Sequence, residues 1–557
     1  MSESVKTIDA KVLKRMFVFG ANNLKANMKE VNDLNVFPIP DGDTGENMYQ
    51  TIKGGVDAIA EVDEDKINVL ADAFARGMLF NARGNSGVIL SQLFFGLYEG
   101  LKGYEKEVLL SDFAAAMKQG VRRAYGAVAQ PVEGTILTVA RESVEGMFNK
   151  HDEFDSAEEF FSDVLEEMKK SLQHTPELLA TLKEAGVIDS GGAGLVYIIE
   201  GFCRAFSGEA LEEVAATEVS KPVLDLSKFN ENSVMEFGYC TEFLLQLQHS
   251  KTDIATFSVD KLIEFLDTVG DSIVAFITGT VVKVHVHTME PWRVLKHCQQ
   301  FGEFLTLKIE NMTLQHNESE QAKKSTLSDM NKNVQRARRK FAVVTVANGS
   351  GLMDMFKELG ADVVINGGQT NNPSSEDFIN AFDSVNADFV FVLPNNSNIL
   401  LTAEQAGKMY NGSDIRVIPT KSVGEGYAAL SMLDYGSGDA DDIELSLKTD
   451  MKDAVTGMIS KAVRSTTVNG VDVVKDDFIG FTGHTMLVSN ADKMQAVCTL
   501  TDKIVKDKQF LIVCYGKDAT EDERAAYLAY VSAKHSELEV YEINGEQAVY
   551  DFILIVE

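Results

Sequence analysis

Residues 41–47 read Asp-Gly-Asp-Thr-Gly-Glu-Asn, and this stretch decides how the first third of the chain is interpreted. Its first three residues place two carboxylates close together, which is unfavourable unless a cation lies between them. Hard oxygen ligands of this kind suit Mg²⁺. Thr44, Gly45 and Asn47 then provide a hydroxyl, a bare backbone N–H and an amide at a predicted helix start, where phosphate binds well. Taken alone, the stretch is equally consistent with a tight turn and a helix N-cap.

Three further segments rich in small and polar residues also precede predicted helices, namely 82–87, 132–135 and 188–194. Each alone resembles an ordinary cap, but four such loops in one helical region are hard to explain by capping. Apolar residues at helical spacing extend from about residue 9 to 207, which predicts an all-α domain. If its helices form a ring, the loops would gather at one end as a nucleotide site. A Walker A motif is absent.

The chain of 557 residues is too long for one hydrophobic core. We predict an all-α domain over 1–207. Residues 208–330 contain a linker, alternating β-branched segments and a helical segment, which predicts a small α+β domain with a basic linker. Over 331–557 short apolar strands alternate with helices, a pattern typical of an α/β domain with a largely parallel sheet.

Charge and composition exclude several classes of protein. The formal net charge of −32 opposes general binding to nucleic acid, because an acidic surface repels phosphate. Five cysteines without CxxC spacing and a polar N-terminus indicate the reducing cytoplasm. No apolar run approaches the roughly 18–20 residues that span a bilayer. The sequence therefore predicts a cytoplasmic protein with at most transient membrane contact.

Four motifs closely resemble the nucleotide-binding domain of the dihydroxyacetone kinase family. They are NVFPIPDGDTGENM (35–48), ARGNSGVILSQ (82–92), PVEGTILTVARE (131–142) and VIDSGGAGL (187–195). The whole chain resembles the three-domain ATPase subunit of bacterial fatty acid kinase, with a DegV-like C-terminal domain. The resemblance implies an N-terminal eight-helix barrel that binds ATP through two Mg²⁺ ions held by three aspartates.

The resemblance also implies roles for individual residues. Two of the metal-binding aspartates match Asp41 and Asp43, and Asn35 stands near the position of the third, where it would ligate without charge. Arg83 and Arg141 lie beside glycine-rich segments and either steady the γ-phosphate or serve a structural role. The positions that match nucleotide contacts are Thr44, Gly45, Glu46, Asn47, Asn85, Ser86, Gly134, Thr135, Asp189, Ser190 and Gly191.

In the resembling family the phosphoryl acceptor is a fatty acid presented by a separate acyl-binding protein, and the product is an acyl phosphate for phospholipid synthesis. A carboxylate is ionised at pH 7, so the nucleophile needs no general base. A dihydroxyacetone-type kinase is one alternative, but nothing from residue 206 onward clearly supplies its ketone-binding domain. A non-catalytic ATP-binding scaffold is another, and the intact Asp41 and Asp43 argue against it.

A second metal site is predicted in the middle domain. Residues 284–288 alternate as a strand, so His285 and His287 should share one face. With Cys240 they offer nitrogen and sulfur ligands suited to Zn²⁺. An exposed strand face is the alternative. The resemblance implies that the equivalent residues bind zinc, and that this domain mediates a homodimer.

Two polar loops follow predicted strands of the C-terminal domain, at 367–374 and 394–398. Ligands bind at the carboxyl ends of strands in α/β sheets. In the acyl-binding relatives a Ser/Thr-rich loop holds the fatty acid carboxylate, whereas the loop here is rich in asparagine. A docking or structural platform is therefore favoured over an acyl-binding site.

Overall fold

The computed structural model describes residues 6–35, 42–60, 62, 65–148, 154–206, 239–266, 268–278, 280–311, 338–369, 371–436, 438–452 and 454–557. The chain forms two compact units, Met1–Glu212 together with Arg338–Glu557, and Glu213–Ala337. The first unit therefore unites the N-terminal helical region with the C-terminal α/β region. The predicted domain boundaries near residues 207 and 330 lie outside the described residues.

The described part of the N-terminal region contains nine helices. The eight longer ones contact one another in succession, and the last, α9, packs against α1, so the helices close into a ring. Their bounds are α1 Ala10–Asp33, α2 Thr44–Ile59, α3 Ile67–Asn81, α4 Gly84–Leu101, α5 Leu110–Ala127, α6 Ile136–Phe148, α7 Ala157–Leu178, α8 Ala180–Ala185 and α9 Ser190–Arg204.

Aromatic side chains fill the interior of this ring. Phe17 and Phe74 stack with ring centroids 3.7 Å apart and an interplanar angle of 9°. Phe94 meets both of them edge-on, and Phe202 of α9 lies 6.2 Å from Phe17. All four are buried. Because aromatic side chains bury large apolar areas, this cluster stabilises the ring from within.

The prediction of a purely helical first domain was wrong in one detail. A short strand, β1 (Thr7–Asp9), pairs antiparallel with β2 (Glu107–Leu109). Strands of three residues are too short to show a period of two, so the sequence pattern does not reveal them. Asp9 then caps α1 by accepting a hydrogen bond from the Val12 N–H at 2.8 Å.

Over its described residues, the middle unit contains a four-stranded antiparallel sheet and two α-helices, as the alternating segments predict. Its strands lie in the order β4-β5-β3-β6. The bounds are β3 Tyr239–Leu247, α10 Val259–Leu266, β4 Asp271–Thr278, β5 Val281–Thr288, α11 Pro291–Cys298 and β6 Gly302–Asn311.

The C-terminal region begins with a parallel sheet in the order β10-β9-β7-β8. Helices connect its strands, as the sequence predicts. The bounds are β7 Arg339–Ala347, α12 Ser350–Glu358, β8 Val363–Asn366, α13 Ser375–Val385, β9 Ala387–Leu393, α14 Leu400–Met409, β10 Asp414–Val417, α15 Val423–Ser431 and α16 Ala440–Asp450.

A second, six-stranded sheet follows in the order β15-β14-β11-β18-β16-β17. Only its β16–β17 pair is parallel, so the prediction of a largely parallel domain was wrong here. A strand that is buried on both faces is apolar throughout and shows no alternation. Its sequence therefore does not reveal whether it pairs parallel or antiparallel with its neighbours. The bounds are β11 Val455–Lys461, β12 Thr466–Val468, β13 Val471–Val473, β14 Phe478–Thr482, β15 Thr485–Asn490, α17 Lys493–Ile504, β16 Phe510–Tyr515, α18 Glu521–Lys534, β17 Glu539–Ile543 and β18 Phe552–Val556.

Of the helices that the structure describes, none is both long enough and apolar enough to cross a membrane.

Closure of the helical ring depends on glycine where α1 meets α9. A Cβ atom built at Gly201 would lie 2.4 Å from the carbonyl oxygen of Phe19 and 2.6 Å from the Cα of Gly20. Both neighbours are backbone atoms, which cannot rotate away. Any larger residue at position 201 must therefore push the two helices apart.

We expect Gly201→Ala to lower the free energy of unfolding by about 1–3 kcal/mol, because the added methyl overpacks the α1–α9 contact. Chemical denaturation followed by circular dichroism measures this change. Gly126→Ala is the matched control, since it lies on α5 and its added Cβ would meet no atom within 4 Å. Equal stability of the two variants would contradict the role given to the close contact.

Candidate functional site

The polar loops of the helical ring meet at one cavity of about 640 Å³. The cavity also extends into the C-terminal region. Members of all four sequence loops contribute to its wall, as a ring of helices predicts. The residues from the helical region that line it are Asn35, Asp43, Thr44, Asn47, Asn85, Ser86, Ile89, Thr135, Ile136, Asp189, Ser190 and Gly191.

The carboxylate of Asp43 does not cap the helix that follows it. Helix α2 begins at Thr44, yet the Asp43 side chain makes no capping hydrogen bond. Asn32 takes that role, because its Oδ1 accepts hydrogen bonds from the N–H groups of Gly45 at 2.7 Å and Glu46 at 3.3 Å. The interpretation of this stretch as a plain helix cap therefore loses its main support. Asn32 lies upstream of every quoted motif, which is why sequence patterns missed it.

Asn35 joins the starts of α2 and α9, two helices that are far apart in sequence. Its Oδ1 accepts hydrogen bonds from Thr44 Oγ1 at 2.8 Å and from Ser190 Oγ at 3.2 Å. The Ser190 hydroxyl also donates to Thr44 Oγ1 at 3.3 Å. The structure thus brings Ser190 to Asn35 and Thr44, which precede it by more than 140 residues. The amide oxygen that would ligate a metal is the atom that accepts both bonds. The neighbouring Asp41 lies outside the described residues.

Asp189 caps α9 at the edge of the cavity. Its Oδ2 accepts a hydrogen bond from the Gly192 N–H at 2.6 Å. Burial raises the pKa of the Asp189 carboxyl to about 6, although hydrogen bonds from the backbone N–H groups of Gly192 and Ile136 oppose this shift. Near pH 7 most of the carboxyl is ionised, and the backbone donors hold that charge.

The loop before α6 is held by a left-handed glycine. Gly134 has φ of +84°, a conformation that favours glycine. Its N–H donates to Thr138 Oγ1 at 2.8 Å. Arg141 donates to Tyr125 Oη at 3.1 Å and to Glu133 at 3.0 Å. Arg141 therefore supports this loop from outside, and it is not among the residues that line the cavity.

Arg83 contacts the C-terminal region. Its Nη1 donates to the carbonyl oxygen of Asn372 at 2.9 Å, and its Nη2 lies 4.0 Å from Asp377 Oδ2. Arg83 does not belong to the cavity wall either. Its catalytic role stays a prediction, whereas the observed contact joins the two regions.

The C-terminal region forms the opposite wall of the same cavity. Both polar loops predicted at strand ends contribute, which agrees with the general position of ligands in α/β sheets. Asn85 Nδ2 donates to the Ser397 carbonyl at 3.4 Å and so joins the two walls. The polar or charged side chains from this region that line the cavity include Asn348, Gln369, Asn395, Asn396, Ser397, Asn398, Lys421, Ser422, Glu425, Thr456, Thr482, His484, Gln547 and Tyr550.

Lys421 supplies a positive charge to this wall. The residue is exposed, its backbone N–H donates to Glu425 Oε2 at 2.5 Å, and its charge favours the ionised form of that carboxyl. The preceding residue, Thr420, accepts a hydrogen bond from the Asn395 N–H at 3.0 Å. Lys421 therefore lies next to the 394–398 loop, which Asn85 contacts. Sequence analysis missed Lys421. The sequence feature that could have identified Lys421 is its position, as a single basic residue shortly after the end of the short strand β10.

The backbone of the middle unit brings together the strands of the predicted zinc ligands. Cys240 on β3 stands opposite His287 on β5. The side chains of Cys240, His285 and His287 lie outside the described residues, so the zinc site stays a prediction. Over the residues that are described, there is no group of three potential ligands. Two potential ligands on α11 have packing roles, because the ring centroids of His297 and Phe265 stack 3.6 Å apart and Cys298 is fully buried.

Comparisons with known proteins cover most of the chain. Residues 38–204 match the DAK2 domain. Residues 236–319 match the FakA-like middle domain of fatty acid kinase, and residues 342–557 match the FakA-like C-terminal domain. These three matches follow the order of the predicted domains.

Relatives align along the full length. Protein YloV of Bacillus subtilis is 38% identical over 100% of both chains. An uncharacterized protein of Staphylococcus epidermidis is 35% identical over 99% of this chain and 100% of its own. Among solved structures, DegV, a fatty acid binding protein from Bacillus subtilis, is 12% identical with a TM-score of 0.30, covering 39% of this chain and 99% of its own. By its domains and its full-length relatives, the chain belongs to the FakA-like family of fatty acid kinase proteins.

Proposed function

We propose that this protein is a kinase that transfers the γ-phosphate of ATP to the carboxylate of a fatty acid. A separate fatty-acid-binding protein presents the acceptor, and the product is an acyl phosphate for phospholipid synthesis. The observation that carries the proposal is the meeting of four phosphate-suited loops with the Asp43 carboxylate at one cavity. Membership of the FakA-like family supports the choice of acceptor.

The helix starts around the cavity are suited to hold the triphosphate of ATP. Helices α2 and α9 begin at residues that line the cavity, and α4 begins one residue before Asn85, which also lines it. Each helix start presents the positive end of a helix dipole, which attracts phosphate. The proposed nucleotide contacts are Thr44, Gly45, Glu46, Asn47, Asn85, Ser86, Gly134, Thr135, Asp189, Ser190 and Gly191.

Two Mg²⁺ ions are the proposed cofactors. Asp41 and Asp43 would hold them, and Asn35 would add an uncharged oxygen in place of one of the two hydrogen bonds that its Oδ1 accepts. Asp43 supports the fit of these residues to Mg²⁺. It lines the cavity, and its carboxylate does not cap α2. Hard carboxylate and amide oxygens are the ligands that Mg²⁺ prefers. When bound, the ions neutralise the charge that develops during phosphoryl transfer.

A fatty acid acceptor requires no general base from the protein. A fatty acid carboxylate is already a nucleophile at pH 7, so the protein must mainly position it and exclude water. Lys421 offsets part of the repulsion between that carboxylate and the phosphates, since it lines the cavity from the C-terminal side. Arg83 is assigned instead to the junction of the two regions.

We expect Asp43→Ala and Asp41→Ala to abolish phosphotransfer while the fold persists, because both remove a carboxylate ligand of the metal. Turnover of ATP by the purified variants measures the loss, and circular dichroism checks the fold. Asp57→Ala is the control. It also removes a carboxylate from α2, but this carboxylate lies on the surface, where it pairs with Lys53. Near-normal turnover in the first two variants would overturn the metal assignment.

The acceptor is identified by a three-way assay of the intact chain. ATP consumption is compared with a fatty acid loaded on its carrier protein, with dihydroxyacetone, and with neither. Consumption only in the first reaction, with formation of acyl phosphate, is the expected result. Consumption with dihydroxyacetone would favour the other kinase class, and binding of ATP without consumption in any reaction would favour a scaffold.

We expect Lys421→Ala to lower kcat/KM by about ten- to a hundredfold, the usual effect of losing one charge-assisted hydrogen bond. Lys421→Arg should retain most activity, because it keeps the charge. Lys408→Ala, on an exposed part of α14, is the matched control. If Lys421→Ala and Lys408→Ala behave alike, Lys421 has no role in catalysis.

The middle unit is proposed to bind Zn²⁺ through Cys240, His285 and His287 and to mediate a homodimer. We expect freshly purified protein to contain about one zinc per chain, and Cys240→Ala to lose it. Elemental analysis measures the metal, and light scattering measures the oligomeric state. Cys498→Ala is the control, as it removes a cysteine from α17. Unchanged zinc in Cys240→Ala would exclude this ligand set.

A further inference from the structure

We propose that Asn372, from the C-terminal region, is a positioning residue for the metal-binding carboxylate of Asp43. The inference rests on the metal site of the proposed function. It begins from a direct contact across the two regions of the first unit, in which Asn372 Nδ2 donates a hydrogen bond to Asp43 Oδ2. Because Asn372 lies in a loop distant from every nucleotide motif, its role follows from the structure and not from the motifs.

The chemistry of this contact fixes the orientation of the Asn372 amide. The side chain must direct its NH₂ group at Asp43, since the opposite orientation would place a carbonyl oxygen against a carboxylate oxygen. Asn372 is only 2% exposed. Its Oδ1 is buried and has no hydrogen-bond partner among the residues that the structure describes. Leaving the buried Asn372 Oδ1 without a hydrogen bond costs free energy of folding. The residue nevertheless keeps its NH₂ group on the Asp43 carboxylate.

Hydrogen bonds flank Asn372 on both sides. Before it, the Gly368 N–H donates to the Asn371 carbonyl at 3.1 Å and closes a tight turn. After it, Ser374 starts α13 with a reciprocal capping box to Asp377. The Arg83 guanidinium holds the Asn372 carbonyl itself. These contacts hold the backbone on either side of the Asn372 side chain.

Outer hydrogen bonds of this kind orient the ligands of metal ions. A carboxylate that ligates a metal through one oxygen is commonly held at its other oxygen, and removal of the partner typically weakens metal binding by about 10- to 100-fold. Asn372 can supply that bond to Asp43 without competing for the metal, because its NH₂ group is a donor only. The C-terminal region thereby contributes to a metal site whose ligands all belong to the helical ring.

A different residue holds the two regions together without touching Asp43. Gln405 on α14 donates to the Leu79 carbonyl at 3.1 Å and to Ser375 Oγ at 3.2 Å. It also accepts a hydrogen bond from Gln92 Nε2 at 2.6 Å. Gln405→Ala therefore disturbs the junction of the two regions but leaves the hydrogen bond to Asp43 in place. It separates a positioning role of Asn372 from a merely structural one.

The test measures binding of Mn²⁺, as a spectroscopic substitute for Mg²⁺, to the full chain with a non-hydrolysable ATP analogue. Electron paramagnetic resonance reports the free ion, so no acyl acceptor is needed. We expect Asn372→Ala to weaken Mn²⁺ binding by about tenfold or more. Asn372→Asp, which keeps the size but loses the donor, should bind no better than Asn372→Ala. Gln405→Ala and the exposed neighbour Asn371→Ala should bind like the unaltered chain.

Three outcomes overturn the inference. If Gln405→Ala weakens binding as much as Asn372→Ala, the effect is structural. Tighter binding by Asn372→Asp would show that position 372 reaches the ion directly. No loss of Mn²⁺ in Asp43→Ala would remove the metal site and this inference with it. Conversely, a failure to phosphorylate fatty acids, with the expected Mn²⁺ results, would overturn the proposed acceptor alone.

Discussion

The contact between α1 and α9 is the constraint on which the rest of the helical region depends. These helices lie at opposite ends of the region in sequence, and they approach closely enough that the backbone of Phe19 and Gly20 leaves no room for a Cβ at Gly201. Closure of the ring brings the N-terminus of α9 back to the end of α1. Ser190 can then reach Asn35. Without this closure the segment 188–194 would be an ordinary helix start. With it, backbone N–H groups and hydroxyls from distant loops converge on one cavity, as binding of a triphosphate requires.

The cavity has two walls of different character. The helical ring offers hydroxyls, amides, helix starts and carboxylates, whereas the parallel sheet of the C-terminal region offers asparagine-rich loops and Lys421. The loop at 367–374 does more than face the site, because Asn372 donates to Asp43. The sequence placed these loops correctly after strands β8 and β9, and it favoured a docking or structural platform. It did not predict that they would contact the nucleotide loops. Such contacts depend on how two distant regions pack.

Local patterns predict much of this fold and part of the site. Helical spacing gives the ring helices, and the turn-rich motifs give the loops that line the cavity. Three features needed information that no local pattern holds. Asn32 caps α2 from the preceding helix, so its role depends on the packing of α1 against α2. The direction of strands such as β18 is hidden because both faces are buried. Asn372 is one polar residue within a polar loop, and only the tertiary contact distinguishes it from its neighbour Asn371.

A shared cavity also constrains how an acceptor reaches the phosphate. The loops assigned to the triphosphate face walls that belong to the C-terminal region. Under the proposed function, a carboxylate that attacks the γ-phosphate would enter a space bounded by both regions. The proposed carrier protein would then present its acyl group where the C-terminal region contacts the ring through Arg83 and Asn372. The junction of the two regions is consequently a part of the proposed active site, because the hydrogen bond from Asn372 to Asp43 connects it to the proposed metal ligands.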